Sequence, residues 1–216
     1  MSLTQEQKDL LVGTLLGDGS LQTETRGRTW RYRALHKEQH LEYLQHKYQI
    51  LSNFCATPPT FSDVLDNRTN KVYKRWYFNT TVQDSFKYYG NLFYKQDQMK
   101  TSMLKDVPLT IPQILTPRAI AYWYMDDGSL KWLGKSNAMR ICTESFSKSG
   151  VERLKKGLKN LYNIETQLIV KKANNTIVGY RLAINEKNSE AFRELIQPYL
   201  IDCMRYKVSD GNNGHL

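Results

Sequence analysis

The chain repeats itself, and any fold it adopts must accommodate the duplication. Leu15-Leu16-Gly17-Asp18-Gly19-Ser20-Leu21 returns 109 positions later as Tyr124-Met125-Asp126-Asp127-Gly128-Ser129-Leu130. Leu41, Leu44, Tyr48 and Leu51 return as Val151, Leu154, Leu158 and Leu161 at a spacing of 110, and each set carries the period of one helical face. Phe86, Tyr89 and Phe93 match Phe192, Leu195 and Tyr199 at 106. Loops of unequal length produce a drift of this size. Two copies of roughly half the chain is the simplest organisation for 216 residues. The copies divide into residues 1–106 and 107–216. The segment 94–117, with Pro108, Pro112 and Pro117, is the only plausible connector.

Each copy reads as helix, strands, helix, strands, helix. The first helix opens at Thr4 with Gln7 three residues on, a capping box. Its counterpart opens at Thr116-Pro117, an N-cap followed by proline at the first helical position. Both are expected to end at Asp-Gly-Ser, with glycine in the left-handed conformation that stops a helix. Extended stretches follow at 20–36 and 129–145. In the first, Thr29, Arg31 and Arg33 share one face while Trp30, Tyr32 and Ala34 share the other. After the second helix, 72–80 and 176–184 read as further strands. The fold class is α+β, built from two pseudo-symmetric αββαββα repeats.

Charge narrows the partners. Lys and Arg exceed Asp and Glu by 31 to 21, a net charge of +10, which favours a polyanion, nucleic acid before anionic membrane. From Arg26 to Lys37 there are five basic residues and no acid. No apolar run is long enough to span a bilayer, and a membrane-surface role is poorly supported because the basic residues lie on strands rather than along an amphipathic helix. Cys55, Cys142 and Cys203 lie far apart with no paired spacing, and the four histidines form no HExxH pattern, so neither a disulfide framework nor a cysteine zinc site fits. The N-terminus lacks the basic start and apolar stretch of a secretory signal.

The sharpest signal is the pair of helix ends. One Asp-Gly there is a common turn; two at equivalent places in a duplicated motif point to function. A carboxylate at a helix C-terminus faces the negative end of the dipole and costs stability unless a cation is present. Two such ends side by side offer the carboxylates of Asp18 and Asp127 with free main-chain carbonyls, and Gly17 and Asp126 complete the candidate metal set. This is an oxygen-rich, incompletely filled site of the kind Mg²⁺ accepts when a phosphate supplies the rest.

Leu11-Val12-Gly13-Thr14-Leu15-Leu16-Gly17-Asp18-Gly19 and Ile120-Ala121-Tyr122-Trp123-Tyr124-Met125-Asp126-Asp127-Gly128 resemble the LAGLIDADG motif of homing endonucleases, specifically the single-chain members that carry it twice. Where the consensus has small residues, the first copy has Gly13 and Gly17 and the second Tyr122 and Asp126, which reads as small-against-large packing across the helix pair. The resemblance implies a monomer with the motif helices at its centre and curved antiparallel sheets forming a DNA-binding saddle. It implies Mg²⁺-dependent, site-specific cutting of both strands of a long pseudo-palindromic duplex. It makes Asp18 and Asp127 catalytic, with Lys105 and Lys207 polarising the attacking water. His36 and Glu144 fall at the family's polar position after the first hairpin, where a side chain orders solvent. Arg31 and Arg33 are the first DNA-contact candidates, then Arg26, Arg28, Lys71, Lys74 and Arg75; in the second half they are Lys131, Lys135, Lys171, Lys172 and Arg181. Some members instead serve as intron RNA splicing cofactors, and a non-catalytic DNA-binding regulator could use the same scaffold. Both stand as alternatives, with intron RNA as a second partner. Members are often encoded in organellar introns, which implies synthesis in a chloroplast or mitochondrion without a transit peptide.

Overall fold

A computed structural model describes residues 2–97, 102–132 and 135–208. Helix α1 (Gln5–Leu16) starts where the sequence places it: the Thr4 hydroxyl accepts from the Gln7 N–H at 3.2 Å, and the Gln7 side chain accepts from the Thr4 N–H at 3.0 Å. It is followed by β1 (Ser20–Gln22), β2 (Arg31–Lys37), α2 (Leu41–Leu51), β3 (Thr60–Asp66), β4 (Lys71–Asn79) and α3 (Asp84–Phe93). A short hairpin, β5 (Tyr94–Gln96) with β6 (Met103–Lys105), joins the halves. The second pass comprises α4 (Pro117–Asp127), β7 (Gly128–Trp132), β8 (Ser136–Cys142), α5 (Lys148–Tyr162), β9 (Gln167–Ala173), β10 (Thr176–Ile184) and α6 (Glu186–Ile196). The sheets run β1-β2-β4-β3 and β7-β8-β10-β9, antiparallel throughout and identical in order. The expected αββαββα repeat is therefore present twice. The hairpin β5–β6 is an addition inside the segment the sequence assigns to a connector.

Every residue from Leu10 to Leu16 in α1 and from Ala119 to Met125 in α4 is buried, so these stretches are covered all round. They lie against each other at the centre, where Leu10, Leu11, Leu15, Ala119, Ile120 and Trp123 are fully buried. The small-against-large packing holds in detail. A Cβ at Gly13 would lie 2.3 Å from the Ala119 carbonyl and 2.5 Å from the Tyr122 Cβ, and one at Gly17 would lie 2.4 Å from the Asp126 Cβ. The other helices pack outside this pair and against the inner faces of the sheets, where Trp30, Tyr32, Ala34, Met139, Ile141 and Leu182 are buried.

One expectation fails. Neither Gly19 nor Gly128 is left-handed: Gly128 has φ −81°, and Gly27 and Gly179 are the only glycines with positive φ among the described residues. These glycines provide space. A Cβ at Gly19 would fall 2.8 Å from the Thr14 side chain, and one at Gly128 would fall 2.2 Å from the Tyr124 ring. No helix among the described residues is long and apolar enough to cross a membrane.

Candidate active site and nucleic-acid interface

Because α1 and α4 run side by side, their C-terminal ends emerge together. Asp18 follows the Gly17 cap of α1, and Asp127 is the last residue of α4. The side chain of Asp18 is half exposed. Burial, then the Asp126 carboxylate, pushes Asp18 up to about 6. Burial, then Asp126 and Asp18, pushes Asp127 up to about 8. Two carboxyl groups that resist charging, set beside each other, form a site that favours a cation.

The carbonyls at the helix ends are not free, contrary to expectation. Lys105, at the end of β6, donates to the carbonyls of Gly17 at 3.1 Å and Gly19 at 3.0 Å. Lys207, in the turn Asp202–Lys207, donates to the carbonyls of Asp126 at 2.9 Å and Met125 at 2.5 Å. Helix C-termini leave acceptors without intrahelical partners, and the ammonium groups satisfy them. The two lysines reach equivalent places from different local structures, a hairpin in one half and a short helical turn in the other. Burial lowers both below the usual lysine range, while the neighbouring aspartates work against it.

Asp126 behaves differently from its neighbours. Its side chain is fully buried, with Oδ1 2.6 Å from Lys47 Nζ and Oδ2 accepting the Asp18 N–H at 3.0 Å. Burial alone would raise it; the charge and hydrogen bond of Lys47, with His36 and the Tyr43 hydroxyl, together outweigh burial and hold it below the usual carboxylate range. Ligand atoms of Asp18, His36 and Asp126 lie within 4.8 Å of one another. Lys47 Nζ, which is also 2.9 Å from His36 Nε2, bridges Asp126 and His36 on the side away from Asp18. What Asp126 and Gly17 can offer a metal is the second lone pair of main-chain carbonyls that already accept from Lys207 and Lys105. Lys47 escaped the sequence reading although a signal was available: Leu44, Lys47 and Leu51 share the i, i+3, i+7 spacing, which puts the lysine on the buried face of α2.

His36 is buried and its Nδ1 lies 3.9 Å from Asp18 Oδ2. Burial, then Lys47, lowers it to about 3, so the ring is neutral. Glu144, its expected counterpart, is instead paired with Arg181, which commits both side chains to each other.

Strand register sorts the basic residues, because paired residues share a face. Ser20 pairs with Arg33, Gln22 with Arg31, and Lys37 with Arg75, so these lie on the outer face of the first sheet, with Lys71. Arg31 is 3.2 Å from Glu24, and Arg33 stacks 5.0 Å from the Tyr77 ring centre. Arg26 and Arg28 sit in the β1–β2 loop, where Arg26 has φ 54°. Lys74 points to the opposite face, 3.8 Å from Glu38 and over Phe61. In the second sheet, Lys131, Lys171 and Arg181 lie outside, Lys172 alternates to the other face, and Lys135 is exposed in the β7–β8 turn. Arg140 belongs with the outer set and the sequence reading missed it. It pairs with Ser129 as Arg33 pairs with Ser20, and its Nε donates to the Ser129 hydroxyl at 3.0 Å. The shorter β7–β8 connection shifts it to 107 positions beyond Arg33, off the spacing of 109 found at the motifs.

The model of the LAGLIDADG DNA endonuclease family matches residues 8–192. The chain belongs to that family. It is 60% identical to DNA endonuclease I-ChuI of Chlamydomonas applanata across 100% of both chains, and membership makes it a homing DNA endonuclease. The cytochrome b mRNA maturase bI2 of Saccharomyces cerevisiae is 27% identical over 93% of this chain, which spans 47% of the maturase. Among solved structures, the homing endonuclease I-WcaI bound to its DNA recognition sequence has a TM-score of 0.84 at 24% identity, covering 97% of this chain and 88% of that one. The structure of I-DmoI in complex with DNA and Mn has a TM-score of 0.53 at 15% identity, covering 91% and 99%. These likenesses establish the LAGLIDADG fold for both repeats.

Proposed function

We propose that this endonuclease acts as a monomer, hydrolysing one phosphodiester in each strand of a long pseudo-palindromic DNA site, with Mg²⁺ as its cofactor. The observation that carries the reading is the convergence of Asp18 and Asp127 at paired helix ends, each beside a half-buried lysine on a main-chain carbonyl. The donor chemistry fits Mg²⁺: two carboxylates and the carbonyls of Gly17 and Asp126 are all hard oxygen ligands. Mg²⁺ held there would supply Lewis acidity to the phosphodiester. Asp18 and Asp127 supply charge, and Lys105 and Lys207 orient the attacking water and oppose negative charge as it develops on phosphate. Residues 1–106 and 107–216 act as the two half-site modules. Arg31, Arg33, Arg75, Lys71, Lys131, Arg140 and Lys171 face the duplex, since a β-ribbon fits the major groove. Kinship to intron-associated proteins supports a gene carried in an organellar intron, which would make the intronless junction the substrate.

Asp18→Asn or Asp127→Asn removes a charge with little change of shape. We expect double-strand cutting to fall by roughly 10²–10³ or more while target binding stays within a few-fold. Lys207→Met should slow one strand more than the other and leave nicked plasmid. Strand-resolved cleavage of a supercoiled plasmid carrying the junction measures all three. Normal linearisation by Asp18→Asn would show the site to be misplaced.

A further inference from the structure

We propose that Lys47 is a positioning residue for Asp18, acting through Asp126 and His36, and that it makes the two halves of the active site inequivalent. The inference rests on the endonuclease reading and deepens it. A lysine with a fully buried side chain is rare unless its charge is matched, and Lys47 is matched on three sides. Its Nζ lies 2.6 Å from Asp126 Oδ1, 2.9 Å from His36 Nε2 and 4.0 Å from the centre of the Tyr43 ring.

Both groups that Lys47 holds turn their other side to Asp18. Asp126 Oδ2 accepts the Asp18 N–H at 3.0 Å, which fixes the main chain at the end of α1. An ammonium group can only donate, so His36 Nε2 must accept. In a neutral imidazole the proton then resides on Nδ1, the atom 3.9 Å from Asp18 Oδ2. Lys47 thereby fixes the tautomer that presents an N–H to the Asp18 carboxylate. Main chain and side chain of one aspartate are steered from a single buried charge.

Asp127 has no such support. The position equivalent to Asp126 in the first motif is Gly17, and that equivalent to Lys47 is Gly157. Among the described residues the network therefore exists once. It crosses the repeats, with Lys47 and His36 supplied by the first and Asp126 by the second. Gly17 is part of the arrangement, since a side chain there would collide with the Asp126 Cβ.

Lys47→Met alone would leave a buried carboxylate unpaired, so the test is Lys47→Met/Asp126→Leu, which replaces the pair with apolar groups of similar branching. Two readouts are taken. In amide hydrogen exchange, protection of the Asp18 N–H should fall at least about tenfold while that of the Asp127 N–H, bonded within α4, is unchanged; general loosening would move both. In strand-resolved cleavage, the strand slowed by Lys105→Met should be slowed by up to about 10² more than the other, the scale expected for an ångström-sized misplacement. Asp126→Asn, which keeps the shape and one acceptor oxygen, should show a smaller loss on the same strand and decides the matter if the double variant does not fold. Equal slowing of both strands, wild-type cutting of both, or failure of both variants to fold overturns the proposal. Asp18→Asn serves as the reference: if it cuts normally, the endonuclease site itself is wrong, whereas if it is inactive and the double variant cuts both strands normally, only the positioning role fails.

Discussion

Asp127 retains a proton that the unfolded chain would release, and this sets a pH dependence. Burial, with Asp126 and Asp18 nearby, pushes its carboxyl to about 8 and that of Asp18 to about 6. Between the unfolded carboxyl value and the folded value the native state binds more protons than the unfolded state, so stability declines as pH rises through that window. The contribution is fully present below about 4 and is lost as pH passes about 8. Asp127→Asn carries no such charge. In EDTA its melting temperature should match wild type near pH 4 and exceed it by several degrees at pH 9, about 2–4 °C for each kcal/mol. Melting curves from pH 4 to 9 check this, and a wild-type curve that rises between pH 6 and 9 would contradict it. These residues were legible in the sequence because duplication marks them: Asp18 with Asp127, Lys105 with Lys207. Lys47 has no counterpart in the second repeat, so the same comparison passed over it.

At the scale of elements, the contact of α1 with α4 depends on glycine for space. A Cβ at Gly13 would stand 2.3 Å from the Ala119 carbonyl oxygen, which belongs to the backbone of a buried helix and cannot step aside cheaply. Gly13→Ala should therefore destabilise the protein by about 1–3 kcal/mol, despite alanine being the better helix former. Gly157, inside α5, is the contrasting case. Its nearest obstacle is a Leu115 methyl at 3.3 Å, the flexible end of a side chain. Gly157→Ala should be neutral or raise stability by up to about 1 kcal/mol. Chemical denaturation of the two variants compares them directly, and equal effects would remove the close-approach explanation. Periodicity and capping made most of these elements readable: Thr4 and Thr116 start their helices as expected, and Trp30, Tyr32 and Ala34 turn inward. What the sequence could not convey was why glycine ends each motif. Asp-Gly reads locally as a left-handed stop, but the requirement comes from side chains packed over the glycine, Thr14 and Tyr32 at Gly19 and Tyr124 at Gly128. The β5–β6 hairpin was missed for a related reason, since three-residue strands carry too short a pattern to register.

For the whole molecule, two sheets of identical strand order present outer faces that carry Arg31, Arg33 and Arg75 in one half and Lys131, Arg140 and Lys171 in the other. With a net charge of +10, some affinity for any polyanion is assured, so affinity alone does not locate the DNA. Salt dependence and position do. Each phosphate contact contributes about 0.9 to the slope of log affinity against log salt. If Arg31 and Arg33 both meet phosphate, replacing them with alanine should reduce that slope by about 2 and weaken binding at least about tenfold. Lys155 and Lys156 are equally charged but exposed on α5, which packs against the inner side of the second sheet. Their replacement should leave the slope unchanged and affinity within about twofold. An arginine that instead reads a base edge would alter discrimination at one position with a smaller change in slope, so Arg140→Ala, tested on targets altered in the second half-site, separates contact types as well as halves. Filter-binding or fluorescence titrations between 50 and 300 mM salt, roughly the range over which such slopes are measured, suffice. Loss of the same slope from the α5 pair as from the β2 pair would mean that the duplex does not lie on the sheets.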